Sequence, residues 1–186
     1  VIIAVDTSGI KVTNRGEWIR EKWRVRRGWI KVHIAVDINS KEVLAIEVTD
    51  ETISDHEKFT ELIESAENNI IPGKIKRVLG DGAYDTNSIF NFLEQKRIVA
   101  VIKTRTNVCT KSRGSAYRAE CVRERNQLGY KDWSARYGYT YRWAVETTLS
   151  SVKRITGESV RATSMQGMFR EVLMKFIFYN MLLNLG

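Results

Sequence analysis

The chain has 186 residues, 43% hydrophobic and 28% charged, with a formal net charge of +8. That is length enough for one domain with a sizeable core, and no run of about 18 apolar residues is present to span a membrane. The apolar start, Val1 to Val5, is too short for a signal peptide. Cys109, Cys121, His33 and His56 match neither a disulfide framework nor a soft-metal spacing.

Val1–Val5 is a continuous apolar run ending at Asp6, which predicts a buried strand. Residues 7–28 read as a long polar excursion. Residues 11–31 hold eight Lys/Arg against two Glu, and here Trp18, Trp23 and Trp29 interleave with Arg20, Arg24, Arg26 and Arg27. Such a mixture can stack on bases and grip phosphates. The competing reading is a solvated basic loop with its tryptophans in the core. Trp29–Ile38 alternates, with Ile30, Val32, Ile34 and Val36 on one side and Lys31, His33 and Asp37 on the other, which predicts a strand. His33 is expected at the surface or a sheet edge rather than as a ligand. Asn39-Ser40-Lys41 is a turn, and Val43–Thr49 completes a hairpin.

Ser54 with Glu57 three residues on forms a capping box, and Phe59, Leu62, Ile63 and Ala66 follow at helical spacing. Asp55 is placed by the helix dipole rather than by a metal. Ile75–Leu79 is a short strand ending at Gly80-Asp81-Gly82. Thr86 opens a helix containing Ile89, Phe90 and Leu93, with Asp85 just before it as a candidate N-cap. Ile98–Ile102 is a further strand. Residues 103–137 have weak periodicity and read as a long basic loop with one short helix. Within them, residues 103–136 hold nine Lys/Arg against three acids, so each basic segment is +6 and the rest of the chain −4. Two basic segments on an otherwise acidic domain point to a polyanionic partner. A helix bearing Tyr139 to Lys153 follows. A last helix over residues 165–184 is apolar toward its end, which suits packing on a sheet or a dimer interface.

The chemistry lies in three places. Asp6 and Asp81 sit where apolar strands end, the ligand-binding position of open α/β sheets. Gly80 and Gly82 flank Asp81 and permit close approach. Tyr139, Arg142, Glu146 and Lys153 have the spacing Y-x2-R-x3-E-x6-K. At about 100° per residue, the last three point to about −60°, −20° and −40° from Tyr139, one narrow face. Val145, Leu149 and Val152 form an apolar stripe beside it. Three carboxylates from three elements repel one another unless a hard divalent cation sits among them, and oxygen ligands suit Mg²⁺. Two such ions can serve phosphoryl transfer. The plainer readings are turn or cap residues for Asp6 and Asp81 and an ordinary i,i+4 ion pair between Arg142 and Glu146.

Three antiparallel strands followed by alternating helices and strands predict a mixed sheet with helices on both faces, the element order of the ribonuclease H-like α/β fold. Asp6-Thr7-Ser8-Gly9, Gly80-Asp81-Gly82-Ala83-Tyr84-Asp85 and the Tyr139, Arg142, Glu146, Lys153 signature together resemble the catalytic domain of a DDE transposase from a prokaryotic insertion sequence. The resemblance runs from Val1 to Tyr179-Asn180.

The resemblance implies that Asp6, Asp81 and Glu146 bind Mg²⁺, with Mn²⁺ able to substitute. It implies that Arg142 and Lys153 contact DNA phosphates with support from Tyr139. The basic segment adds Arg24, Arg26 and Arg27 as candidate DNA contacts. The activity implied is cleavage at transposon ends and 3′-hydroxyl attack on target DNA, by a cytoplasmic, nucleoid-associated protein that pairs two copies. Residues 1–186 are expected to be one catalytic domain, without the upstream domain that recognises transposon ends. The alternatives are an inactive, transposase-derived nucleic-acid-binding protein and another ribonuclease H-like nuclease.

Overall fold

The computed structural model describes residues 1–12, 28–70, 72–105, 111 and 113–185. Strand β1, Ile2–Val12, is the middle of the sheet. It runs antiparallel to β2, Trp29–Asp37, from Ile3↔Asp37 to Lys11↔Trp29. This pairing carries the strand seven residues past Val5, through the polar Asp6-Thr7-Ser8-Gly9. Asp6 therefore lies within a strand, not at its end. Strand β3, Val43–Asp50, pairs antiparallel with β2. On the other side β4, Arg77–Gly80, lies parallel to β1, and β5, Val99–Ile102, parallel to β4. The order is β3-β2-β1-β4-β5. A two-residue strand not foreseen from sequence, β6 (Ser159–Val160), pairs with Lys11 and Val12.

Side chains alternate across a strand, and the two faces of the sheet build two cores. Ile3, Val5, Ala35 and Val78 pack with Phe59, Leu62 and Ile63 of α1, Phe59–Asn68, and with Phe90 and Leu93 of α2, Asn87–Lys96. Ala4, Ile10, Val32, Ile34, Val36 and Leu79 face the other way. They meet Val145, Leu149 and Val152 of α4, Trp143–Thr156, and Met168, Val172 and Phe176 of α5, Met165–Leu185. The mixed sheet with helices on both faces is as the element order predicts.

Local signals act where the sequence places them. The Ser54 N–H donates to Glu57 Oε1 at 2.9 Å, and a 3₁₀ turn, Asp55–Lys58, leads into α1. Asp55 also pairs with Lys31 at 2.9 Å. Thr86 Oγ1 accepts from the Ile89 N–H and caps α2. Asp85 is thus not the cap. Its buried carboxylate accepts Arg118 Nε at 2.7 Å, Arg118 Nη2 at 3.0 Å and the Arg105 N–H at 3.0 Å.

Arg118 belongs to the main departure from the sequence reading. Most of the expected loop over 103–137 is a helix, α3, Ala116–Tyr137, capped by Ser115 and broken at Gly129 (φ 75°, ψ 161°). It buries Ala119, Val122, Trp133 and Ser134, too few apolar groups to make a stripe. Its charged residues surround it, so periodicity is weak. Among the described residues no helix is long and apolar enough to cross a membrane.

The Asp85 side chain is fully buried and that of Arg118 is 18% exposed. Removing one partner of such a pair leaves the other uncompensated. Arg118→Ala is expected to lower unfolding stability by about 3 kcal/mol in chemical denaturation. A loss below about 0.5 kcal/mol would show that Asp85 does not need the guanidinium.

Candidate nucleic-acid processing site

Asp6 faces the α4 side of the sheet, in line with Ala4 and Ile10. Its Oδ1 accepts the Thr7 N–H at 2.9 Å, and its Oδ2 lies 3.2 Å from Arg142 Nη1. Burial pushes its carboxyl above the ordinary 3.8. The Thr7 N–H and Arg142 oppose this, while the charges of Asp81 and Glu146 add to it. The last two influences put Asp81 and Glu146 within electrostatic reach of Asp6.

The β1–β4 register explains how Asp81 arrives. Ala4 is opposite Leu79, so continuing the parallel ladder by two residues brings Asp81 alongside Asp6. Asp81 leaves β4 and opens a 3₁₀ turn, Gly82–Tyr84, where its Oδ1 accepts the Ala83 N–H at 2.8 Å. The turn reading and the site reading therefore coincide in one residue. Gly80 has a local reason: a Cβ there would stand 3.1 Å from the Tyr84 ring.

Arg142 ends a 3₁₀ turn and is the N-cap of α4, and Glu146 lies in the first turn of α4. The guanidinium spans two acids, with Nη1 on Asp6 and Nη2 on Glu146. The i,i+4 pair foreseen from sequence is present, and a carboxylate from β1 joins it. At the far end of α4, Lys153 Nζ donates to Ser8 Oγ at 2.8 Å. The two ends of α4 thus touch β1 through two cations, the N-cap Arg142 and Lys153. Tyr139 does not lie on α4 with Glu146 and Lys153. It opens the 3₁₀ turn, Tyr139–Arg142, that Arg142 ends, and is buried against Trp133 (5.1 Å between rings) and Tyr130 (6.3 Å). Burial lifts its phenol to about 12, so it stays neutral beside Arg142. Arg24, Arg26 and Arg27, with Trp18 and Trp23, lie outside the described residues.

Two groups escaped the sequence reading. The first stands behind Asp6. His33 is not at the surface; it is 1% exposed, because the 3₁₀ turn and α1 cover that face of β2. Thr49 Oγ1 donates to the Asp50 carbonyl at 3.1 Å, so it accepts from His33 Nε2 at 3.0 Å. His33 Nδ1 then accepts from Thr7 Oγ1 at 2.9 Å, and Thr7 Oγ1 accepts from the Tyr84 hydroxyl at 3.2 Å. This one direction of donation satisfies every member with a neutral imidazole, and it fixes Thr7, next to Asp6.

The second group flanks Asp81. The Lys103 N–H donates to the Gly80 carbonyl at 3.2 Å. Lys103 Nζ lies 5.7 Å and the Arg125 guanidinium 5.9 Å from the half-exposed Tyr130 ring. The signal for it was available: Tyr130, Trp133 and Tyr137 recur at i, i+3 and i+7.

Three acids offer oxygen donors of the kind a hard divalent cation takes. Among the described residues no group of three or more His, Cys, Asp or Glu is arranged to hold a metal ion, and Arg142 stands between two of the acids. The donor chemistry fits such an ion; in this arrangement the guanidinium supplies the positive charge.

The mixed sheet with order β3-β2-β1-β4-β5 and helices on both faces is the ribonuclease H-like α/β fold. The family model described as "Transposase DDE domain" matches residues 1–181, and the chain belongs to that family. Among solved structures, piggyBac transposase in a synaptic complex with hairpin DNA is similar in fold, with a TM-score of 0.50 at 10% identity over 98% of this chain. The chain spans 46% of that protein's length. The catalytic core domain of BIV integrase aligns over 94% of this chain and 97% of its own, at 14% identity and a TM-score of 0.34.

His33 carries a pH dependence. Burial holds its imidazole below the ordinary 6.5, so the unfolded chain binds the proton more tightly. Its contribution to stability is complete above 6.5 and is lost as pH falls through that value toward the folded pKa. The urea midpoint is expected to drop between about pH 7.5 and pH 5.5, and His33→Gln is expected to flatten that drop. An equally steep fall in the variant would assign it to other groups.

Proposed function

We propose that this chain is the catalytic domain of a transposase that cuts DNA at transposon ends and joins the freed 3′-hydroxyl to target DNA. The observation that carries this reading is Arg142 held between Asp6 and Glu146, with Asp81 in electrostatic reach of Asp6 and Arg142. Asp6, Asp81 and Glu146 would hold Mg²⁺, in a pair of sites that Mn²⁺ can also fill. When bound, the ions would activate the attacking water or 3′-hydroxyl and stabilise the leaving oxygen.

The chain's own residues do the rest. Thr7, held by His33 and Tyr84, keeps the Asp6 carboxylate in register on β1. The turn at Gly82–Tyr84 aims Asp81 alongside it. Arg142 offers a planar fork that matches a phosphate as well as it matches carboxylates. Lys153, seated on Ser8, adds a point charge farther along the strand. Tyr139 remains neutral and supports Arg142 through packing. Lys103 and Arg125 extend the cationic surface on the Asp81 side, and Arg24, Arg26 and Arg27 are proposed as further DNA contacts. Joining two ends calls for two copies in the active complex, acting in the cytoplasm at the nucleoid.

Asp81→Asn keeps the Oδ1 acceptor for Ala83 and removes the charge. It is expected to retain the fold, by circular dichroism, and to lose more than about 100-fold in Mg²⁺-dependent strand cleavage. Full activity in the purified variant would remove this site from the chemistry. DNA affinity is expected to fall steeply with salt, by about 10³-fold between 50 and 200 mM for some six phosphate contacts. A salt-independent affinity would contradict phosphate recognition by the basic surface.

A further inference from the structure

Arg142 holds more of the site than phosphate recognition requires. Its Nη1 lies 3.2 Å from Asp6 Oδ2, and its Nη2 pairs with Glu146. The Arg142 and Asp6 side chains are each 21% exposed and Glu146 is 53% exposed. The Asp6 contact is therefore shielded, while Glu146 is free to swing toward solvent. Asp81 also acts on the guanidinium through its charge. A single fork thus neutralises two of the three acids proposed as metal ligands. A divalent cation and the guanidinium compete at these acids, because Arg142 takes up Asp6 Oδ2 and Glu146 Oε1 and its charge repels an ion beside it. Lys153, on the same helix, donates instead to Ser8 Oγ.

We propose that Arg142 is a displaceable internal counter-ion: it clamps Asp6 and Glu146 until a DNA phosphate draws it away and leaves both carboxylates to a divalent cation. The inference rests on reading Asp6, Asp81 and Glu146 as metal ligands. Phosphate is the anion that can compete, since it presents the fork with the same two-oxygen geometry as a carboxylate. DNA binding and metal binding then strengthen each other by an equal factor, as linkage requires. The metal-loaded site would assemble on DNA rather than ahead of it.

The test is Mn²⁺ binding by the full chain, followed as loss of the free-ion paramagnetic resonance signal, with and without a short duplex at low salt. Without DNA, Arg142→Gln is expected to bind Mn²⁺ about tenfold more tightly than the unaltered chain. DNA is expected to tighten the unaltered chain by a similar factor and the variant by less than about twofold. Arg142→Lys keeps the charge but replaces the planar fork with a single nitrogen, so it falls between; it carries the test if the glutamine variant does not fold. Lys153→Gln separates bridging from bulk charge, and a gain equal to that of Arg142→Gln would overturn the proposal. So would Arg142 variants that bind Mn²⁺ no better than the unaltered chain. If Asp81→Asn abolishes binding while the Arg142 variants gain nothing, the ligand reading stands and the counter-ion role fails. If Asp81→Asn binds Mn²⁺ unchanged, the ligand reading fails and the inference with it.

Discussion

A carboxylate in the middle of the central strand is the constraint on which the rest of the site depends. Along its own face Asp6 follows Ala4 and precedes Ser8 and Ile10, and Ala4 and Ile10 are both packed in the core. An isolated charge there would be driven to take up a proton, and burial does raise its carboxyl. The Thr7 N–H and the Arg142 guanidinium are what keep the charged form accessible. Helix α4 must therefore lie across β1 at an angle and distance that bring Arg142 onto Asp6. The apolar stripe Val145, Leu149 and Val152 sets that geometry, so the packing that buries the helix also aims its charged face.

The same strand ties the other parts together. Thr7 points away from α4, into the His33, Thr49 and Tyr84 network, while Asp6 and Ser8 meet the two cations of α4. Adjacent residues thus serve opposite faces: one anchors the strand and the next works the site. Tyr84 belongs both to this network and to the turn that begins at Asp81. Any shift of that turn would be felt at Thr7, and any shift of Thr7 at Asp6. Buried Asp85 and Arg118 fasten the far side of the same turn to α3.

The elements read correctly from sequence were those whose side chains alternate or recur on one face. The β2–β3 hairpin, α1, α2, β5 and α4 each bury a regular pattern. The readings that failed did so for identifiable reasons. Polar Asp6 to Gly9 offered no apolar alternation, and the strand continues there because β2 supplies partners for its backbone. Helix α3 packs by a few small and aromatic residues on a charged cylinder. His33 sits on the polar-looking side of β2, which becomes interior once α1 and its leading 3₁₀ turn close over it. Tyr139 was placed on the α4 face by its spacing, yet the chain enters α4 through a 3₁₀ turn, whose different pitch turns the ring into the Trp133 cluster.

By itself the sequence determined which groups could do chemistry: two aspartates beside apolar runs and one charged helix face with a diagnostic spacing. Those are local properties, carried by residue type and helical or strand period. Their convergence was decided only by tertiary structure. The parallel β1–β4 register carries Asp81 toward the level of Asp6, and the packing of α4 brings Arg142 onto both Asp6 and Glu146. The identity of the cation among the acids was also a tertiary outcome. Asp6 and Arg142 are separated by 136 residues, and no local pattern records which guanidinium will meet which carboxylate when the core closes.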